Sequence, residues 1–302
     1  MVDIYVIGHK NPDTDSICSA IAYSHFLKLQ GREVKPARAG EINSETKFVL
    51  DSFGFESPEL IEDGTGKKFI LVDHNEKDQR VDGDYEILEI LDHHKFDFSY
   101  PIPISILCKP IGSTCTIIAE MFFERNLNLS KDIAGLLISG ILSDTVIFKS
   151  PTTTKKDREI AEKLNKIVGL DLVEFGKEMK KKGAQIEGKS VEELILRDFK
   201  EFDFRGKKVG IGQLELIESE EFLEKRDEIL KEMKKIKEEK KYDSLIFVVT
   251  DIMKEGSTLF CVGEEEKVAK AFGIDLSSGQ SYIDGLISRK KQVVPVLGEV
   301  FK

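Results

Sequence analysis

Four of the five histidines fall in three short segments that also carry aspartates: His9 with Asp13 and Asp15, His74 after Asp73, and His93 and His94 after Asp92. Imidazole and carboxylate together, without thiolate, are donors for borderline divalent ions, so this set points to Mn²⁺, Co²⁺, Fe²⁺ or Zn²⁺ rather than to Mg²⁺ or Ca²⁺ alone. In the first segment, Gly8-His9-Lys10-Asn11-Pro12-Asp13-Thr14-Asp15-Ser16, His9 and Asp13 sit four apart across an Asn-Pro turn and can fold back onto one point. Asp15 need not face the same way, which suits one ion or two neighbours. Asp15 or Ser16 could simply cap a helix N-terminus, but capping accounts for one residue and not three. Carboxylates crowded together repel and raise one another's pKa, a conflict that divalent cations remove. Asp144 adds a fourth contribution: it follows an apolar helical pattern over residues 133–142, where a carboxylate faces the negative end of the helix dipole unless a cation is bound. A solvent-facing turn Asp is the rival reading for that residue alone.

The elements that must position these groups alternate. Strand-like runs at residues 4–7, 33–38, 69–72, 87–91 and 104–108 are interleaved with helical patterns near 16–29, 44–53, 113–125, 131–142 and 155–168. Such alternation implies an α/β fold with a parallel, helix-covered sheet, although the strand order is not legible. In a parallel sheet the carboxyl ends of the strands share one edge, so the second and third segments can converge there on the first, although they lie about 60–80 residues beyond it. His25, mid-helix among Ile21, Tyr23 and Phe26, reads as structural, and the Gly112-Ser113-Thr114 turn is either an ordinary N-cap or a weak anion site. Near residues 180–190 the apolar pattern gives way to Lys180-Lys181-Lys182-Gly183 and Gly188-Lys189-Ser190, which reads as a linker between domains 1–187 and 188–302. Beyond it, strand-like runs at 208–217, 244–250, 258–262 and 293–297 surround one long helix over 219–240.

A length of 302 residues exceeds the usual reach of one hydrophobic core, and 40% apolar residues suffice for two. The longest apolar stretches, 134–142 and 245–250, fall far short of a membrane span, so a soluble, cytoplasmic protein is expected. The net charge of −10 argues against a nucleic-acid partner, so any anionic substrate must meet locally placed positive charge. Cys18, Cys108, Cys115 and Cys261 are scattered among apolar neighbours and read as buried free thiols. Charged residues make up 33%, dominated by Lys and Glu, a balance found in proteins from hot environments.

With His9-x-x-x-Asp13-x-Asp15, Asp73-His74-Asn75 and Asp92-His93-His94 assembled, the chain resembles the DHH phosphoesterase superfamily. More closely it resembles the family II, manganese-dependent inorganic pyrophosphatases, through Gly8-His9-x-Asn11-Pro12-Asp13-x-Asp15, Leu142-Ser143-Asp144 and Ser288-Arg289-Lys290-Lys291-Gln292. That resemblance implies an N-terminal DHH domain, a smaller α/β DHHA2-like C-terminal domain and an active site between them. It implies two Mn²⁺ (or Co²⁺) per subunit: one on His9, Asp13 and Asp73, the other on Asp15, Asp73, His93 and Asp144, with Asp73 bridging. Mg²⁺ would accompany the pyrophosphate. His94 would be the proton donor, Lys200, Arg289 and Lys290 would grip the phosphates, and the enzyme would be a homodimer joined through its first domain. The nucleophile would be a hydroxide bridging the ions, since metal binding lowers the pKa of water from about 15.7 towards about 7. Inserted CBS and DRTGG domains are not expected, for want of a stretch long enough. A DHH phosphodiesterase would carry a histidine-containing, glycine-rich C-terminal motif, whereas residues 190–302 hold no histidine. A non-catalytic metal- or polyphosphate-binding protein would lack part of the ligand set or the Lys/Arg group.

Overall fold

The computed structural model describes residues 3–184, 186 and 188–301. The chain forms two compact units, Met1–Gly183 and Ala184–Lys302. The division falls a few residues ahead of the expected 187/188 boundary, whose Glu187 lies outside the described residues. Lys180-Lys181-Lys182, expected in the linker, instead extend a helix that ends at Ala184.

The first unit runs β1 (Ile4–Ile7), α1 (Thr14–Lys28), β2 (Lys35–Arg38), α2 (Ser44–Phe53), β3 (Glu59–Leu60), β4 (Lys68–Val72), β5 (Glu86–Asp92) and β6 (Ser105–Cys108). Helices α3 (Thr114–Glu124), α4 (Lys131–Asp144), α5 (Lys155–Val168) and α6 (Leu172–Ala184) follow. The six strands lie in the order β3-β2-β1-β4-β5-β6, all parallel. Central β4, Lys-Phe-Ile-Leu-Val, is buried from Phe69 to Val72 because helices or loops cover both faces of a parallel sheet. Helix α1 is buried on nearly all sides between the sheet and α3 and α4, which explains its weak amphipathic pattern.

The second unit contains α7 (Val191–Leu196), β7 (Phe199–Phe204), β8 (Lys207–Leu216), α8 (Glu220–Leu223), α9 (Arg226–Lys240), β9 (Ser244–Asp251), β10 (Gly256–Val262), α10 (Glu265–Phe272), β11 (Gln280–Asp284) and α11 (Val294–Val300). Its sheet, β11-β10-β9-β8-β7, is antiparallel except for the β8–β9 pair. One face packs Phe222, Ile229, Met233 and Ile236 against Leu245, Phe247 and Phe260; the other packs Val268, Val293, Leu297 and Phe301 against Ile211, Ile246 and Leu259.

Three expectations are corrected here. Residues 293–297 are not a strand: a π-type turn, Arg289–Val293, leads into α11, and burial recurs at Val293, Leu297 and Phe301, a four-residue helical spacing that Pro295 in the first turn tolerates. The long helix over 219–240 is two helices, because Lys225 leaves helical geometry and its carbonyl accepts the first bond of α9, from Ile229 N. Cys108 is exposed on edge strand β6, while the other three cysteines are buried free thiols.

Candidate metal centre

Register brings the three segments together. Ile7 pairs with Leu71 and Val72 with Leu91, so the chain leaves β1, β4 and β5 at adjacent points on one sheet edge. After β1, the loop folds back so closely that a Cβ on Gly8 would come within 1.8 Å of Ser16 Oγ. Asp13, rather than Asp15 or Ser16, caps α1, accepting from Ser16 N at 2.9 Å, and α1 starts at Thr14. Asp73 turns the chain off β4 at φ 63°, a left-handed conformation that a non-glycine residue adopts at a cost of roughly 1–3 kcal/mol and that often marks functional sites. Asp144, the last residue of α4, arrives from the helical layer.

The expected ligands gather in two overlapping groups, His9/Asp13/Asp73 and Asp15/Asp73/His93/Asp144. His9 Nε2 lies 3.7 Å from Asp13 Oδ1 and 3.6 Å from Asp73 Oδ2; His93 Nε2 lies 3.3 Å from Asp73 Oδ1 and 3.2 Å from Asp144 Oδ2. Donors bound at about 2.1 Å to a common ion stand roughly 3.0–3.5 Å apart, close to these separations. Asp73 Oδ2 and His93 Nε2 are buried without a hydrogen-bond partner among the described residues, as atoms reserved for a cation would be. The donor set therefore fits two divalent ions sharing Asp73.

Surrounding residues aim these donors. His93 Nδ1–H donates to Ile111 O at 2.9 Å, which leaves Nε2 as the lone-pair side. Asp15, fully buried, accepts from Ser113 Oγ at 2.7 Å, Thr114 N at 2.6 Å and Cys115 N at 3.1 Å, so the N-terminus of α3 holds a carboxylate of the chain itself. Thr114 Oγ1 also donates to Asp73 Oδ1 at 3.0 Å. These are the residues of the Gly112-Ser113-Thr114 turn, whose anion proves to be internal.

The electrostatics express the crowding. Burial draws His9 down, but Asp13 and Asp73 outweigh it and lift its pKa to about 10. Likewise burial opposes, and Asp144 and Asp73 override it, raising His93 to about 12. Burial and then the neighbouring Asp73 charge push Asp15 up to about 7; burial and Asp15 push Asp144 well above the carboxylate range. Asp73, despite its burial, is held low by His9 and His93. Cations entering the site would displace the protons that the imidazoles draw in.

His94 stands apart. Its Nδ1–H donates to Asp92 Oδ1 at 2.9 Å, and that contact raises its pKa against partial burial. Asp92 is itself buried and fixed by Asn75 Nδ2 at 2.6 Å and the backbone N–H groups of His93 and His94. His94 Nδ1 comes 3.9 Å from Asp73 Oδ1 and could form a third group with Asp73 and His93, but Asp92 already claims it. Half-exposed, His94 lines a cleft of about 680 Å³ with Asp13, His93, Asp144, Lys95 and Lys180. His74 donates from Nδ1 to Val72 O at 2.9 Å, burial lowers its pKa to about 4, and it belongs to none of the donor groups. His25 stacks on Phe122, away from the site.

In the second unit Lys200, Arg289 and Lys290 line one pocket of about 360 Å³, together with Gln213, Glu215 and Ser288. Lys200 comes from β7 and the other two from the π-type turn, whose Ser288 side chain accepts from Lys291 N. Arg289 is buried, its Nη2 2.7 Å from Asp198 Oδ1 and its Nη1 donating to Asp198 O. Sequence reasoning passed over Asp92, Asn75 and Asp198 in these supporting roles; their place beside recognised site residues was the available signal.

The DHH family, N-terminal domain, matches residues 3–141, and the DHHA2 domain matches residues 177–300. The chain is 47% identical to the manganese-dependent inorganic pyrophosphatase of Methanocaldococcus jannaschii over 98% of this chain and 99% of that one. It is 47% identical to the manganese-dependent inorganic pyrophosphatase of Methanothrix thermoacetophila over 99% of each. A crystal structure described as a family II inorganic pyrophosphatase of Methanococcus jannaschii aligns over 99% of both chains with a TM-score of 0.63 and 47% identity.

Proposed function

The chain belongs to the manganese-dependent inorganic pyrophosphatases built from DHH and DHHA2 domains, and from that premise we propose that it hydrolyses pyrophosphate to two phosphates on a pair of Mn²⁺ (or Co²⁺) ions. The observation that carries this reading is the place of Asp73 in both donor groups, from which it would serve either ion. Bound there, such ions would supply charge neutralisation and lower the pKa of water enough to activate it at neutral pH. Mg²⁺ would accompany the substrate. The chain's own residues do the rest: Asp13, Asp15, Asp73 and Asp144 would balance the ionic charge, and Asp92 favours the protonated form of His94, which donates to the leaving phosphate.

Lys200, Arg289 and Lys290 bind the phosphate groups, with Asp198 holding the guanidinium fork. Their grouping in one pocket supports this role. We further propose a homodimer built on β6, an edge strand that pairs only with β5 among the described residues and exposes Ile106, near exposed Phe96 and Ile102. No helix among the described residues is long and apolar enough to cross a membrane, and a cytoplasmic site of action, on a small anion rather than a nucleic acid, completes the reading. Phosphate release from pyrophosphate and p-nitrophenolate release from bis(p-nitrophenyl) phosphate, with Mn²⁺ and after chelation, test it: only the first should be rapid, and only with metal.

A further inference from the structure

We propose that Glu45 and Lys180, which neither the motifs nor the donor groups include, form a neutral positioning pair for the metal ligands; this rests on the metal-centre reading above. Glu45 is 7% exposed in the first turn of α2. Its Oε1 accepts from Thr14 Oγ1 at 2.9 Å and from Ser143 Oγ at 2.5 Å. Thr14 stands between Asp13 and Asp15, and Ser143 precedes Asp144. One carboxylate thus fixes the chain beside ligands from both donor groups, joining the start of α1 to the end of α4.

Lys180, from α6, completes the arrangement. Its Nζ lies 3.1 Å from Glu45 Oε2, 3.2 Å from Oε1 and 3.1 Å from Ser143 Oγ, with only 20% of the side chain exposed. Helix α6 covers Glu45 so closely that a Cβ on Gly183 would approach Oε2 to 2.8 Å. The charge count explains why a lysine is there. Asp13, Asp15, Asp73 and Asp144 offer four negative charges to two divalent ions, and Glu45 would add a fifth beside them. A stray carboxylate could swing in as an unwanted ligand; a stray ammonium would repel the ions. Paired, the two keep the cavity neutral and leave only the hydrogen bonds.

The test reads the sign of two single variants. Full-length protein stripped by a chelator is titrated with Mn²⁺, and free ion is followed by its electron paramagnetic resonance signal. Glu45→Gln keeps an oxygen acceptor but leaves the Lys180 charge unmatched, and should weaken Mn²⁺ binding by about tenfold. Lys180→Met leaves the Glu45 charge unmatched and should tighten it by about threefold or more. The double variant should return to within about twofold of the parent, and Lys180→Arg should bind like the parent. Weakening in both single variants with additive losses would mean that the pair merely packs α6, and would overturn the proposal, as would unchanged affinity in both. Should Glu45→Gln fail to fold, seen by circular dichroism of the apo form, the Lys180→Met and double variants still decide the sign. A parent that binds no Mn²⁺ would instead overturn the metal-centre reading itself.

Discussion

Replacing Asp73 by Asn tests the shared carboxylate most directly. Asparagine keeps the shape, tolerates the left-handed φ of 63° and can still accept from Thr114 Oγ1, so the change is nearly one of charge alone. Unit charges about 4 Å apart interact by about 4 kcal/mol at an effective dielectric constant of about 20. If the amide oxygen retains half of that, about 2 kcal/mol, or roughly 30-fold in affinity, is lost per ion. Asp73 faces both donor groups, through Oδ1 near His93 and Oδ2 near His9, so the combined loss approaches about 4 kcal/mol, or roughly a thousandfold. Asp13 belongs to one group only, and its side chain is 46% exposed, so Asp13→Asn should cost one ion tenfold or less after screening, on the order of 1 kcal/mol. Retained Mn²⁺ after gel filtration and phosphate release at saturating Mn²⁺ measure both. Equal metal content and equal residual rates in the two variants would refute the bridging assignment.

Other expectations follow from the same geometry. Mn²⁺ or Co²⁺ should restore chelated enzyme while Mg²⁺ alone should not, because imidazole donors favour borderline ions; full recovery in Mg²⁺ by phosphate assay would contradict this. His94→Asn should lower kcat on the order of a hundredfold or more with Mn²⁺ stoichiometry intact, since Asp92 rather than a ligand carboxylate claims its Nδ1; loss of metal on dialysis would make it a ligand instead. Arg289→Ala should raise KM, lower kcat or both while metal content stays at the parental level, and an unchanged kcat/KM would remove the second unit from phosphate binding. A fragment of residues 1–187 should still bind Mn²⁺ yet scarcely hydrolyse pyrophosphate, and a fragment retaining most of the activity would count against the Lys/Arg clamp.

The sequence by itself determined the alternation that builds a parallel α/β unit and the acid- and histidine-bearing segments that meet at its edge. Strand-then-acid segments such as 69–74 and 87–94 are local patterns, and a parallel sheet delivers their ends to one edge whatever the strand order. Local pattern failed where burial and long-range pairing decide. The run 293–297 is β-branched enough to read as a strand, yet its buried positions recur every four residues because it packs as a helix across the face of the sheet formed by β8, β9 and β10. Tertiary structure alone decided how the donor atoms are placed: Asp13 spends one carboxylate oxygen capping α1, Asp15 is gripped by the N-terminus of α3 about 100 residues away, and Asp92 serves His94 rather than either donor group. Glu45 and Lys180, 135 positions apart, meet only because α2 begins where α4 and α6 end. Hydrogen bonds and charge neutrality are satisfied in space, between groups whose order along the chain does not encode their distance.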